Sequence, residues 1–155
     1  MTYMISGLDP SKFAHLVGQD DDQLAAIGAV RVTATTDRGF PCRISLQDAR
    51  QGETLILLNH VSHEVETPYR SAYAIYVRET ATDPAIYCDD VPPVFEGRPL
   101  GLRGFGEDHM LKAAALALPG EADAQIRALL ANPDIDYIDA HNAAHGCFVA
   151  RIKRD

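Results

Sequence analysis

The chain has no tryptophan, and aromatic residues make up only 7% of its 155 positions. A platform that stacks single-stranded nucleic acid needs more aromatic surface than that. Positive charge is also scarce. Fourteen Lys and Arg face 22 Asp and Glu, a formal net charge of −8. The broad basic face that neutralises phosphates in nucleic-acid binders is therefore not expected. Cysteine is sparse too: Cys42, Cys88 and Cys147 are odd in number and far apart, whereas secreted disulfide scaffolds carry a dense, even set. No apolar run approaches the roughly 18 residues of a membrane span, the longest being Leu55–Leu58 and Ala113–Leu118. The first ten residues contain neither a basic segment nor a long apolar one, so no secretory signal is expected. The reading is a cytoplasmic protein with free thiols and with neither nucleic acid nor membrane as partner. Its oligomeric state is not legible.

Several catalytic signatures are missing as well. There is no P-loop, because Gly101-Leu102-Arg103-Gly104-Phe105-Gly106 has the wrong glycine order and no Gly-Lys-Ser/Thr ending. There is no Gly-x-Ser-x-Gly elbow, no His-Glu-x-x-His helix and no EF-hand loop. No cofactor is implied.

What is present is an ordinary globular composition, 46% hydrophobic and 23% charged, long enough for one domain over residues 1–155. Asp9-Pro10 is an N-cap followed by proline at the first helical position, with Phe13, Leu16 and Val17 on one face. Asp20 and Gln23 have capping-box spacing and open a second small helix through Leu24 and Ile27. The acidic triplet Asp20–Asp22 then suits the first helical turn. Val30, Val32 and Ala34 alternate with polar residues as a strand. Ser45 and Asp48 predict a single helical turn over Leu46–Gln51, and Thr54–Val61 reads as a central strand. Ser71–Glu79 alternates again. Residues 82–99 are rich in proline yet too apolar for a flexible linker, as an ordered functional loop would be. Arg98–Phe105 and Met110–Leu118 can pair as a hairpin, with a helix competing over the alanine-rich second segment. Glu121–Ala131 is the clearest helix, with Ala122, Ile126, Leu129 and Leu130 as its stripe. Ile135–Ala140 and Cys147–Lys153 close the chain as a strand pair. The fold class is α+β: a mostly antiparallel sheet, two small N-terminal helices and one longer helix in the C-terminal half.

Three segments stand out together: Gly39-Phe40-Pro41-Cys42-Arg43 running to Ser45-Leu46, Asp48-Ala49 and Gly52-Glu53; Pro68-Tyr69-Arg70 running to Val77-Arg78-Glu79; and His141-Asn142-Ala143 with Gly146-Cys147. In these the chain resembles the bacterial domain-of-unknown-function family numbered 1203. The resemblance implies no activity. It does mark Arg43, Arg70, Arg78, Arg103, His141, Asn142 and Cys147 as lying in the family's characteristic segments.

Three kinds of chemistry can be drawn from these residues. His141 and His145 have a zinc-ligand spacing only if they share a helix face. Gly146 and the flanking β pattern put them in a loop instead, so no metal is expected. Cys147, close to a histidine in sequence, invites a thiol-dependent reading with His141 as its partner. Cys42, beside Arg43 and the turn at Ser45, is the better placed of the two for cationic activation. The leading expectation is a pocket for a small anionic ligand. Guanidinium forks grip carboxylate or phosphate bidentately. At least two of Arg43, Arg70, Arg78 and Arg103 are expected to converge with His141 or Asn142, and Tyr69 would add a neutral hydrogen bond. A protein-interaction module, with the proline-rich loop as contact surface, is the remaining alternative.

Overall fold

A computed structural model describes residues Met1–Asp155. Nine strands form two antiparallel sheets, and two α-helices pack around them. The strands are β1 (Tyr3–Ser6), β2 (Val30–Thr33), β3 (Thr54–His63), β4 (Ser71–Arg78), β5 (Ile86–Cys88), β6 (Leu100–Phe105), β7 (Leu111–Ala117), β8 (Tyr137–Asn142) and β9 (Phe148–Arg154). The helices are α1 (Asp21–Ala26) and α2 (Ala122–Leu130). The larger sheet has the order β5-β1-β9-β8-β6-β7, and the smaller one β2-β3-β4. No helix is long and apolar enough to cross a membrane.

Local chemistry explains most elements. Asp20 accepts from Gln23 N while the Gln23 side chain accepts from Asp20 N, so the capping box starts α1 as its spacing predicts. The first of the two expected small helices is instead a pair of short 3₁₀ turns, Pro10–Lys12 and Ala14–Leu16. That tighter turn keeps Phe13 and Leu16 buried but turns Val17 outward. The helical turn expected over Leu46–Gln51 does not form. Asp48 pairs across an isolated bridge with Pro41, and Leu46 takes a left-handed backbone (φ 52°) with its side chain buried. The Asp48 carboxylate is engaged by a distant arginine rather than by a helix end. The proline-rich stretch is ordered. It contributes β5, which pairs with β1, and a 3₁₀ turn that buries Val94 and Phe95.

Between strand and helix for Met110–Leu118, strand wins. Ala113, Ala115 and Ala117 share one face with period two and lie against the core on which α2 packs. Small side chains there let the helix approach the sheet closely, so tertiary packing overrides alanine's helix preference. α2 buries Ala122, Ile126, Leu129 and Leu130, the stripe that its sequence predicts. The main core joins these residues to Ile138, Ala140, Val149, Ala150 and Ile152 of β8 and β9. A second cluster, with Phe13, Leu24, Cys42, Ile44, Ile56, Ile75 and Val77, lies against the smaller sheet. The end of β1 crosses the Cys42–Ile44 segment so tightly that a Cβ on Gly7 would sit 1.9 Å from the Ile44 carbonyl oxygen. Only glycine fits at that crossing.

Candidate functional site

The segment around Arg43 is clamped on both sides. Its N–H donates to the Tyr76 carbonyl of β4 at 3.0 Å, and its carbonyl accepts from Leu8 N at 2.8 Å. This fixes the backbone between the small sheet and the N-terminal segment and sends the side chain inward. Arg43 is only 1% exposed. Its Nε donates to the Phe148 carbonyl (2.8 Å), Nη1 to the Pro41 carbonyl (2.6 Å) and Nη2 to Cys147 Sγ (3.1 Å). No carboxylate pairs with it. Burial pushes the guanidinium below its ordinary range, and the nearby Cys147 sulfur works in the opposite direction.

Cys147 closes the turn between β8 and β9. Asn142 N donates to the Cys147 carbonyl (2.9 Å) and Gly146 N to the Asn142 carbonyl (2.8 Å), with Gly146 at φ 76°. This tight loop sets the Asn142 amide over the sulfur, Nδ2 donating to Sγ at 3.4 Å. Two N–H groups therefore converge on Sγ. Asn142 Oδ1 is buried and has no partner, an open acceptor beside the sulfur.

Arg43, Asn142 and Cys147 border a cleft of about 560 Å³ between the β8–β9 turn, the face of β3 and β4, and the Gly97–Pro99 segment. Tyr73 and Tyr76 wall it, and Arg98 and His145 complete its polar lining. Arg98 is neutralised by a bidentate pair with Asp48 (2.7 and 3.0 Å) and also donates to the Val94 carbonyl (2.9 Å). No Asp or Glu lines the cleft, although the chain carries 22 of them.

The other expected site residues distribute differently. His141 belongs to β8 rather than to a loop, because the strand runs past Ala140, and it is buried. Its Nδ1 donates to the Gly146 carbonyl at 3.0 Å, and its ring packs edge-on against Tyr73 and Phe148. Burial, reinforced by the Arg103 charge, pushes it down to about 4. It is a neutral spacer behind the Tyr73 wall, with no hydrogen bond to either thiol. Arg103 donates to the Tyr73 hydroxyl at 3.0 Å, so it supports that wall from outside the cleft. Arg78 pairs with Glu53 (2.6 Å) and lines a separate groove with Glu79. Arg70 is exposed, 3.9 Å from Glu64. The Tyr69 ring packs on Phe105, away from the cleft. Cys42 is fully buried, its sulfur accepting from the N–H groups of Ile44, Ser45 and Arg78. The Arg43 guanidinium turns to Cys147 instead. Of the four expected arginines only Arg43 lines the cleft, so the expected convergence of two of them there is not met; Arg103 reaches only the back of the Tyr73 wall. Arg98, which also lines the cleft, carries no sequence signal as a ligand residue, and His145 is marked in the sequence only by its zinc-type spacing to His141.

Fold and site together define an α+β protein with an acid-free cleft at a sheet-to-sheet seam, one buried guanidinium and one accessible thiol. The model of the family described as protein of unknown function, DUF1203, matches residues 39–154. The chain belongs to that family, and the match takes in every residue named in the cleft. No curated protein and no solved structure matches the chain.

Proposed function

We propose that the protein binds a small anionic ligand in the cleft bordered by Arg43, Asn142 and Cys147. The observation that carries this reading is the charge arrangement. A guanidinium that is almost wholly buried has two carbonyls and a sulfur as its acceptors and no carboxylate. It opens on a cleft that no acid lines. A buried cation without a counter-ion is costly, and a bound carboxylate or phosphate supplies one. Arg43 is held rigid by its backbone clamps and its three side-chain bonds, so little side-chain entropy is lost on binding. Local potential at such a cleft is positive even though the whole molecule is acidic. The setting we infer is the cytoplasm, where the three free cysteines persist as thiols.

A second reading is favoured by one further observation: the Cys147 sulfur lies in the same cleft with N–H groups of Arg43 and Asn142 directed at it. The bound anion then sits against a nucleophile, and the reaction is thiol chemistry at Cys147. His145, not His141, is the histidine that shares this space.

The test is a thermal-shift series of small carboxylates and phosphate monoesters against chloride at equal ionic strength. Matching the salt separates binding from general salt effects. Specific binding raises the melting temperature by mass action, and Arg43→Met removes that rise. Equal shifts in wild type and Arg43→Met, or none beyond chloride, overturn the proposal.

A further inference from the structure

A second constellation lies away from the Arg43 cleft. His63 ends β3, just past a bulge between Val61 and His63. Tyr137 opens β8, and His109 occupies the turn between β6 and β7. The Tyr137 hydroxyl is 2.6 Å from His63 Nε2 and 2.8 Å from His109 Nδ1. His63 Nδ1 is 2.8 Å from the Tyr69 carbonyl.

The donor directions follow from the groups themselves. A carbonyl only accepts, so His63 Nδ1 carries a proton and, in the neutral ring, Nε2 is an acceptor. Tyr137 gives its single proton to that nitrogen. Its oxygen then accepts from His109, whose Nδ1 carries the proton and whose Nε2 lone pair is left open. The result is a one-way chain, His109 to Tyr137 to His63 to the Tyr69 carbonyl. It runs from an exposed ring to one that is 2% exposed. Burial pushes Tyr137 up to about 12, against the lowering effect of Arg151, so the hydroxyl stays a donor. His109 holds its place with a left-handed backbone (φ 60°), a conformation that disfavours most side chains.

The chain borders a cleft of about 440 Å³. Its charged groups are Asp9, Lys12, Glu64, Arg151 and Lys153, with His60 beside them. Arg151 is held by Asp139 in a bidentate pair. Asp9 accepts from Ser11 N, and Glu64 lies 3.9 Å from Arg70. Lys12 and Lys153 have no carboxylate within ion-pair distance. Ser62 Oγ is buried there without a partner.

We propose that this cleft is a second ligand site, in which Lys12 and Lys153 hold a small anion and the His109–Tyr137–His63 chain exchanges a proton with it. The exchange balances. His109 Nε2 takes a proton from the ligand and passes its Nδ1 proton to the Tyr137 oxygen. Tyr137 releases its own proton to His63 Nε2. Charge then rests on His63, between the Tyr69 carbonyl and the Phe105 ring, whose centroid is 4.3 Å away, a contact that favours a cation. The reverse sequence returns the proton. The shared ligand chemistry is a phosphate or carboxylate group, and the Arg43 cleft plays no part in it.

Nitrogen-15 spectra of the histidine side chains, recorded while inorganic phosphate is added, test the proposal. In the wild type the His109 and His63 signals move together. In Tyr137→Phe the His109 signal still moves and the His63 signal does not. The double variant Lys12→Ala/Lys153→Ala, altered only at exposed positions, binds phosphate at least about tenfold more weakly, a loss of roughly 1.4 kcal/mol. Unmoved histidine signals in the wild type overturn the proposal. So does a His63 response that survives Tyr137→Phe, or phosphate affinity unchanged in the double lysine variant. Phosphate-dependent change confined to residues around Cys147 also overturns it and leaves the Arg43 reading standing.

Discussion

Arg151 and Arg43 are treated in opposite ways by this fold. Arg151 on β9 faces Asp139 on β8 in the strand register and meets it with Nε and Nη2 at 2.7 and 2.9 Å. Its guanidinium also lies 4.5 Å from the Tyr137 ring centroid. The charge is balanced inside the fold, and the pair ties two neighbouring strands together. Arg43 is buried more deeply still and receives no such partner. Its acceptors are two carbonyls and a sulfur, and the space beside it carries no acid. The difference separates a cation balanced by a carboxylate within the fold from one that has no carboxylate partner. The more deeply buried of the two is the one without a carboxylate partner.

The largest effect expected is on the balanced side. Arg151→Met leaves the Asp139 carboxylate, 1% exposed, without a partner. Unfolding in urea should show a loss of about 3–5 kcal/mol. A loss under about 1 kcal/mol would mean that the pair is not the strand tie described here. Next comes His141, which shares strand β8 with Asp139. Its folded pKa lies near 4 against an ordinary 6.5, so between those values the unfolded chain binds the extra proton. Stability is full above about pH 6.5 and falls as pH drops toward 4, by on the order of 3 kcal/mol. His141→Gln should flatten that part of the pH profile, and an unchanged slope would show that the ring is not held neutral. Arg43→Met is expected to cost less than Arg151→Met, about 1–2 kcal/mol, because it strands two carbonyls and no charge. Equal losses at the two arginines would erase the contrast. The smallest perturbation is chemical: with no mutation, a thiol reagent should modify Cys88 and Cys147 well before Cys42, which opens to solvent only through local unfolding. Mass spectrometry of the labelled peptides reads the order.

The contrast also shows what the sequence makes legible. Patterns within one element were readable: the stripe of α2, the capping box of α1, the alternation of β4, and the β8–β9 strand pair. The family segments also pointed to Arg43, Asn142 and Cys147, which do share a cleft. Contacts set by topology were not readable. Arg43 and Cys147 are 104 positions apart, and their meeting depends on the seam between two sheets. Arg70 and Arg78 carried the same residue-type signal as Arg43, yet strand ends point them toward Glu64 and Glu53. Arg98 was hidden because Asp48 looked like a helix cap. The apolar pattern that marks β8 ends at Ala140, whereas the strand runs two residues further through His141 and Asn142, its end carried by pairing with β6. The Arg43 guanidinium meets Cys147 rather than Cys42 for a simpler reason: adjacency in sequence says nothing about where a long, flexible side chain ends.

The central claim is that the Arg43 cleft takes an anion, and the alkylation rate of Cys147 as a function of added anion tests it most directly. Cys88, exposed and outside the cleft, serves as the internal reference in the same sample. At constant ionic strength, the anion that gives the largest thermal shift should slow modification of Cys147 to a saturating limit. Cys88 should be unaffected, and in Arg43→Met the protection should vanish. Cys147 rates that do not respond to any anion, or that fall equally in wild type and Arg43→Met, would contradict the account.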